Sequence, residues 1–429
     1  MFDQELLPYV LITLISFSGF IALVRIGRNP ASSLLDPRLI VLVSTIIYTA
    51  IPLIFLLISD SSTVYGESLK AQLEVANYVV YLLSVLFIVY LLGNNYMRFY
   101  PLLFEQMKSR ISLLDFRIYY AMAIGVFAYS SIILALNVSD AITFFGDRAW
   151  SSAKKASLNN TYKLALSLYM LLGFVILLVM RSGKLRYFLF LTPYFLFDIV
   201  HADRSFIFII LSALLVMFVF IGGKLKLRYF FYIFIFLYSI EFFRASWNIT
   251  ALKQEGFSAF FKIPGELLGT TSATFIVYEA GLSTNKLEYF FSNIILFWLP
   301  NTLRPEMDFI KVADVLGLYS PFTWGLGGSV LSEVFILSSI SYLYPFIIVL
   351  ISIVYIVLIR WMPGIFGVIL SLFVFTSMIS FQRGGFISNG FLPLYYFLIF
   401  YFTLSTARFL FGAYHGRATP INADNNHDH

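Results

Sequence analysis

Long apolar stretches recur along most of this chain, and they constrain its fold more than any other feature. Stretches of about 18 or more apolar residues are long enough to cross the hydrocarbon core of a bilayer as an α-helix. A transmembrane β-barrel would show alternating segments of about 10 residues, whereas the stretches here are continuously apolar. We therefore predict an all-α, polytopic membrane bundle of about 11 to 12 transmembrane helices.

The composition points the same way. Hydrophobic residues make up 60% of the 429 residues and charged residues only 12%, whereas average globular domains contain about 25% charged residues. A soluble fold of this composition would lack the polar surface needed to cover itself. The net charge of +6 is expected to reside in loops that face the cytoplasm, so it does not indicate a nucleic-acid partner.

Hydropathy predicts where the individual spans lie. The sixth span is short and contains Pro193, which is expected to bend it. The first is interpreted as a retained anchor, because the N-terminus lacks the basic segment and cleavage site of a signal peptide. In chain order, the predicted spans cover about 6–24, 39–59, 75–93, 118–136, 162–180, 187–201, 205–222, 228–244, 341–359, 364–381 and 391–411.

Basic residues are concentrated in alternate loops, which predicts the orientation of the bundle. The loops after the first, third, fifth and seventh spans are rich in arginine and lysine, whereas residues 60–74 carry one lysine against three carboxylates. Because basic loops face the cytoplasm, we predict that the N-terminus is outside and that the polar tail, residues 412–429, is cytoplasmic. Residues 1–411 then form a single transmembrane domain.

The longest predicted loop, residues 245–340, lies on the outer side. It contains two apolar stretches, 257–261 and 287–300, that are too short to cross the membrane. We expect them to lie on its surface as amphipathic helices. An alternative is that residues 267–283 or 327–341 dip into the bilayer.

The sequence VHADRS at 200–205 brings ionisable side chains to the outer edge of the seventh span. The topology rule depletes this side of arginine, and a guanidinium group is suited to bind phosphate. We expect Arg204 to bind a diphosphate at the bilayer surface; alternatively it pairs with Asp203 or caps the turn. Asp198 lies one helical turn before His201 and could orient the imidazole as a base, or His201 is an ordinary interfacial residue.

A second outer turn, FQRGGFISNG at 381–390, contains Arg383. Its neighbours Gly384 and Gly385 allow tight backbone geometry and the close approach of a ligand. Arg383 is therefore a second candidate for binding the diphosphate. The alternative is a glycine-rich turn with a solvated arginine.

Two further arginines are weaker candidates for the same role. Arg244 follows Glu241 by three residues on one helical face, so the two could simply form a pair. Arg304 lies in the outer loop in NTLRPEMDFIK, and this stretch could be a solvated turn.

The stretch WGLGGSVLSEVF at 324–335 lies near the end of the outer loop, where three glycines precede a predicted helix. The free N–H groups of such a helix start could bind an anion. Glu333 would project near the outer interface, where burial could make it a useful general base; alternatively the helix dipole favours a glutamate there. The chain has no cysteine, HExxH motif, Walker loop or His/Cys cluster, so no metal or cofactor is predicted.

The chain resembles bacterial O-antigen polymerases of the Wzy type. The resemblance rests on the span layout, the large outer loop and three short motifs, namely DRS at 203–205, GLGGSVLSEVF at 325–335 and QRGGF at 382–386. It covers nearly the whole chain in layout, although none of the motifs is a strict signature. It implies a fold similar to class C glycosyltransferases, located in the bacterial inner membrane with the active site facing the periplasm.

Enzymes of this type take a growing glycan from undecaprenyl diphosphate and transfer it to a lipid-linked repeat unit. The resemblance therefore implies a glycosyltransferase of lipopolysaccharide biosynthesis. Its expected partners are undecaprenyl-diphosphate-linked oligosaccharides, membrane lipids and a chain-length regulator protein. The resemblance assigns the diphosphates to Arg204 and Arg383. The transfer also needs a base for the acceptor hydroxyl, and the candidates in this sequence are Glu333, Asp203 and His201.

Other functions fit parts of the pattern. An O-antigen ligase shares the layout but transfers the glycan to the lipid A core. A flippase or another transporter would have charges and broken helices at mid-membrane, whereas the charges here lie mainly near helix ends. A structural or regulatory membrane subunit without catalysis is the remaining alternative.

Overall fold

A computed structural model gives the fold of this chain. It describes residues 6–28, 33–58, 69–92, 111–143, 154, 157–159, 161–201, 205–224, 232, 235, 274–275, 277–279, 281, 286–290, 294, 330–362, 364–377 and 385–417. Within these ranges the regular elements are helices, and none is a strand.

The helices have the following bounds. The α-helices are α1 (Leu7–Arg28), α2 (Pro37–Thr45), α3 (Ile51–Ile58), α4 (Leu69–Leu92), α5 (Leu113–Thr143), α6 (Leu164–Ser182), α7 (Thr192–Val200), α8 (Ser205–Phe220), α9 (Lys286–Phe290), α10 (Val330–Ile336), α11 (Tyr344–Trp361), α12 (Ile365–Thr376), α13 (Phe386–Asn389) and α14 (Leu392–Arg417). A π-helical turn, Ile46–Ala50, joins α2 to α3. Two 3-10 helices, Leu185–Leu191 and Ser338–Leu343, lead into α7 and α11.

The predicted helical membrane bundle is confirmed. Across the described ranges, seven helical stretches are long and apolar enough to cross a membrane, and two shorter apolar helices, α8 and α12, accompany them. Each predicted span coincides with described helices except 228–244, which lies outside the described residues apart from positions 232 and 235. The protein is thus a multi-pass membrane protein.

Some boundaries differ from the predicted ones for local reasons. α5 begins at Leu113 because Ser112 and Asp115 form a capping box, in which each side chain accepts from the other's backbone N–H. Pro193 lies in the first turn of α7, where its missing N–H removes no helical hydrogen bond. It therefore marks the change from 3-10 to α-helix instead of bending one continuous span.

α6 is the central helix of the bundle. It packs against α5, α8, α12 and α14, and its residues from Leu168 to Met180 are buried. Gly173 allows α14 to approach closely, because a Cβ at this position would lie 2.5 Å from the ring of Phe400. Close packing at small residues is a general feature of helix pairs in membranes.

Contacts between helix ends define one end of the bundle, which we call the site end. Near the start of α6, the Tyr169 hydroxyl is 2.8 Å from the Ser377 hydroxyl, directly after α12. The Tyr169 ring also stacks on Tyr396, near the start of α14. After α6 the chain runs back alongside that helix through α7. The Tyr194 hydroxyl of α7 donates a hydrogen bond to the Ser167 hydroxyl near the start of α6, and α8 begins shortly after α7 ends. The site end is therefore where α6, α8 and α14 begin and where α7 and α12 end.

The opposite end of the bundle is rich in arginine, and we call it the basic end. At the end of α1, Arg25 donates to the Tyr90 carbonyl in α4 (2.7 Å), and Arg408 of α14 pairs with Asp115 of α5 (2.9 Å). The described arginines lie in elements at this end, namely Arg25, Arg28, Arg38, Arg117, Arg181, Arg186, Arg360, Arg408 and Arg417. That this end faces the cytoplasm remains a prediction from the topology rule.

Candidate functional site

Glu333 lies at the centre of a buried cluster of hydrogen bonds. It belongs to α10, and its side chain is fully buried. One carboxylate oxygen accepts from the Tyr289 hydroxyl (2.5 Å), and the other accepts from the Tyr344 hydroxyl and from the backbone N–H of Ile387 (2.9 Å). Hydrogen bonds to an ionised acceptor are stronger than neutral ones. The carboxylate thus connects α9, α10, α11 and α13.

Gly385 lies directly against this carboxylate. Its φ of 91° and ψ of 152° fall in a region that is essentially restricted to glycine. A Cβ at this position would lie 2.5 Å from Oε1 of Glu333. The sequence predicted that the glycines at 384–385 allow the close approach of a ligand; in the structure the Glu333 side chain is the group that lies against Gly385. Glu333 of α10 and Gly385, which precedes α13, therefore meet in the fold.

A second buried carboxylate, Asp198, lies in the last turn of α7. Its Oδ2 accepts from the backbone N–H groups of Phe206 (2.6 Å) and Ile207 (2.9 Å). These donors lie in the first turn of α8, where a helix cannot satisfy its own N–H groups, and the negative charge complements the helix dipole. Asp198 therefore caps the start of α8.

His201 directly follows α7 and is buried beside this cap. Its Nδ1 lies 2.8 Å from the Phe197 carbonyl oxygen, and its ring stacks on the Phe197 ring with centroids 4.1 Å apart. Because a carbonyl oxygen can only accept, Nδ1 carries the hydrogen in this contact. The prediction that Asp198 orients this imidazole stays a prediction; at Nδ1 the acceptor is the Phe197 carbonyl.

The helices next to the two predicted arginine sites are neighbours. α8 packs directly against α12, and α8 begins at the site end where α12 ends. Arg204 immediately precedes α8, and Arg383 follows α12 and precedes Gly385 by two residues. The two arginine-bearing segments are thus attached to adjacent helix ends.

Several predicted site residues lie outside the described residues, namely Asp203, Arg204, Arg244, Arg304 and Arg383. Their roles therefore stay predictions. Of the predicted candidates, the structure describes Glu333 and His201, and both are buried.

Tyrosines form a polar layer around this region. Besides Tyr169 with Ser377, the Tyr355 hydroxyl of α11 donates to the Gly390 carbonyl between α13 and α14 (2.5 Å). The segment from Gly385 to Gly390 is therefore held at both ends, by Glu333 at one and by Tyr355 at the other.

Part of the predicted outer loop also packs onto the site end. The Tyr278 hydroxyl donates to the Glu74 carboxylate of α4, and this bond, together with burial, raises the pKa of Tyr278 to about 12. Phe335 of α10 packs against the rings of both Tyr78 and Tyr278, with centroids 5.8 and 5.4 Å away. The hydroxyl thus remains a donor at neutral pH and fastens the loop to the bundle.

Sequence reasoning missed three parts of this site, which are the cap by Asp198 and the hydroxyl donors Tyr289 and Tyr344. Tyr289 lies 44 residues before Glu333, in a stretch that the sequence predicted to be a surface helix. No local pattern joins these positions. A polar hydroxyl inside the apolar stretch LEYFF was the available signal, because a buried tyrosine hydroxyl usually has a partner.

The comparisons with known proteins add no assignment. No family model, curated protein or solved structure matches this chain. The membrane bundle is therefore established by its own helices, and any functional argument depends on the geometry of the site end.

Proposed function

We propose that this protein is a glycosyltransferase of the O-antigen polymerase type in the bacterial inner membrane, with its active site facing the periplasm. It takes a growing glycan from undecaprenyl diphosphate and transfers it to a hydroxyl of a lipid-linked repeat unit. The fold expected with this function is that of the polytopic class C glycosyltransferases.

The observation that carries the proposal is the pairing of α8 with α12. Their adjacent ends support the two segments that contain Arg204 and Arg383, at the end of the bundle opposite the basic end. Guanidinium groups bind phosphate through two parallel hydrogen bonds. Two guanidinium groups at one membrane surface are therefore better suited to bind a lipid diphosphate than to bind a sugar or a peptide.

The proposed chemistry needs two kinds of group. The acceptor oxygen bonds to the anomeric carbon as the bond from that carbon to the diphosphate oxygen breaks. Arg204 and Arg383 stabilise the charge that develops on the leaving diphosphate. A base takes the proton of the acceptor hydroxyl, and the candidates are His201, Asp203 and Glu333.

Complementation of a polymerase-null strain tests this function. Arg204→Ala and Arg383→Ala should each lower polymerisation by about 100-fold or more, because each removes a donor to the leaving group. Most lipopolysaccharide should then carry a single repeat, read as a collapsed ladder on a gel. Arg360→Ala, at the basic end, is the matched control and should keep the ladder.

Three outcomes would contradict the proposal. Long chains from both outer-arginine variants at normal expression would remove the diphosphate role. A deletion strain that lacks even single-repeat lipopolysaccharide would indicate a ligase. Purified protein that forms no glycan ladder from lipid-linked repeats in liposomes, yet moves them across the bilayer, would indicate a transporter.

A further inference from the structure

The arginines at the basic end are of two kinds, and only some of them are bound within the protein. Arg117 and Arg186 are exposed, and neither forms an ion pair with a residue that the structure describes. The arginines bound inside the fold are Arg25 on the Tyr90 carbonyl, Arg38 on the Asp36 carboxylate and Arg408 on the Asp115 carboxylate. Arg117 and Arg186 therefore have donors that can bind a ligand from outside the protein.

Aromatic rings connect these two arginines. Phe116 precedes Arg117 in α5, and Tyr187 follows Arg186 in the 3-10 helix before α7. The rings of Phe116 and Tyr187 meet edge to face with centroids 6.2 Å apart, and the Tyr120 ring also contacts Tyr187 (6.4 Å). The guanidinium carbon of Arg186 lies 5.6 Å from the centre of the Tyr187 ring, within the range of a cation–π contact. The two arginines thus flank one aromatic surface.

Exposed apolar side chains continue from this surface toward the middle of the bundle. α5 begins at the basic end, so Tyr120, three residues after Arg117, lies deeper on the same helical face. The 3-10 helix also leads away from the basic end, and its positions i and i+3 eclipse one another, so Leu189 lies deeper than Arg186. Tyr120 is 41% exposed and Leu189 is 72% exposed. Each arginine is therefore the charged end of an exposed apolar stripe, which matches the headgroup and acyl chains of a phospholipid.

Positive charge is in excess around this surface. The stretches 111–124 and 181–192 contain four basic residues and one carboxylate. The carboxylate is that of Asp115, and it is already paired with Arg408. The basic residues are Arg117, Arg181, Lys184 and Arg186. At a membrane surface, such an excess of positive charge attracts anionic lipid headgroups.

We propose that Arg117 and Arg186 bind the phosphate of an anionic phospholipid from the surrounding bilayer, with an acyl chain along the apolar stripes below them. Guanidinium groups bind phosphate through charge-assisted hydrogen bonds. An anionic headgroup fits better than a zwitterionic one, because a choline or ethanolamine group would add a further cation beside the two arginines. The site lies at the opposite end of the bundle from the proposed reaction, so this inference does not depend on the proposed function.

Native mass spectrometry of the full-length protein in detergent tests the inference. Titration with dioleoyl phosphatidylglycerol should give a Kd about tenfold lower than titration with dioleoyl phosphatidylcholine, which has the same acyl chains. Arg117→Gln and Arg186→Gln should each raise the Kd for phosphatidylglycerol by about threefold to fivefold, because each removes one positive charge at the membrane surface. The double variant should bind the two lipids alike.

Lys163→Gln is the matched control. Lys163 is exposed as well, but it directly precedes α6 at the site end. Its substitution should leave both Kd values unchanged. Arg117→Lys and Arg186→Lys keep the charge and should keep most of the preference for phosphatidylglycerol, which would assign the loss in the glutamine variants to charge rather than to altered packing.

The inference fails if the parent protein binds the two lipids equally, a result that needs no variant. It also fails if the double variant keeps its preference, or if Lys163→Gln weakens binding as much as the arginine variants do. Undecaprenyl diphosphate is the alternative occupant. If it displaces phosphatidylglycerol, and the arginine variants raise its Kd more than that of phosphatidylglycerol, the site belongs to the carrier lipid and the inference is overturned. The glycan ladder tests the proposed function separately, so the two failures are distinguishable.

Discussion

At the scale of single residues, the site end depends on buried carboxylates that are surrounded by donors. A carboxylate without partners is very costly in an apolar interior. The hydroxyls of Tyr289 and Tyr344 meet that requirement for Glu333. The neighbouring backbone is shaped to match, since Gly385 takes a conformation that other residues rarely adopt.

Gly385→Ala should therefore be strongly destabilising. The new methyl group would meet Glu333 Oε1 at 2.5 Å, and the residue would be strained at its positive φ. We expect a loss of about 3 kcal/mol or more, which combines backbone strain with overpacking. Thermal unfolding of the purified protein in one detergent measures it.

Gly183→Ala is the matched control for this substitution. Gly183 also has a positive φ, of 70°, at the end of α6, but a Cβ there would meet nothing within 4 Å. It should cost only about 1–2 kcal/mol from backbone strain. Equal shifts in melting temperature for the two variants would show that the contact with Glu333 is unimportant.

At the scale of elements, the bundle is organised around α6. The helix is apolar enough to span a membrane, yet most of it is buried by other helices. Its approach to α14 depends on Gly173, which faces the buried ring of Phe400. In a membrane, where lipid is as apolar as leucine, such packing is a main source of helix association.

Gly173→Ala should destabilise the pairing of α6 with α14. Overpacking costs about 1–3 kcal/mol, which exceeds the roughly 0.5–1 kcal/mol gained when a helical glycine is replaced. Adding Phe400→Leu should recover part of the loss, because it removes ring atoms from the contact. Unfolding midpoints of the single and double variants measure the coupling.

Gly125→Ala is the control for helix propensity alone. Gly125 lies on an open face of α5, where a Cβ would meet nothing within 4 Å. The substitution should be neutral or slightly stabilising. A Gly173 variant that behaves in the same way would contradict the packing argument.

At the scale of the whole molecule, the described arginines distinguish the two ends of the bundle. The described arginines lie in elements at the basic end, while the segments of Arg204 and Arg383 attach to the site end. The topology rule predicts that the basic end is cytoplasmic. The proposed reaction requires this orientation, because its lipid-linked substrates are used at the periplasmic face.

Single-cysteine labelling tests the orientation cleanly, because the chain contains no cysteine. Lys163 and Lys184 are both exposed, and they lie at opposite ends of α6, Lys163 before its start and Lys184 after its end. A membrane-impermeant maleimide should label Lys163→Cys in intact spheroplasts, and it should label Lys184→Cys only after permeabilisation. The reverse labelling pattern would place the basic end on the periplasmic side and would contradict the proposed function.

The sequence determined the class of fold and most of its elements. In lipid, the backbone N–H and C=O groups of a continuous apolar stretch find hydrogen-bond partners only if the stretch forms a helix. The spans that correspond to α1, α4, α6, α11 and α14 were therefore predictable to within several residues. The described arginines likewise lie in elements at one end of the bundle, in the loops and helix ends that the loop pattern predicted. The sequence also indicated Glu333, His201 and Gly385 as candidates, because ionisable residues and glycines are conspicuous in an apolar chain.

Only the tertiary structure decided what these residues contact. Hydrogen bonds such as Tyr289 with Glu333 join positions 44 residues apart, and helical periodicity predicts nothing beyond a few turns. The pairing of α8 with α12 depends in the same way on side-chain packing summed over the bundle. The sequence could therefore name the carboxylates, but their partners became known only when folding brought distant helix ends together.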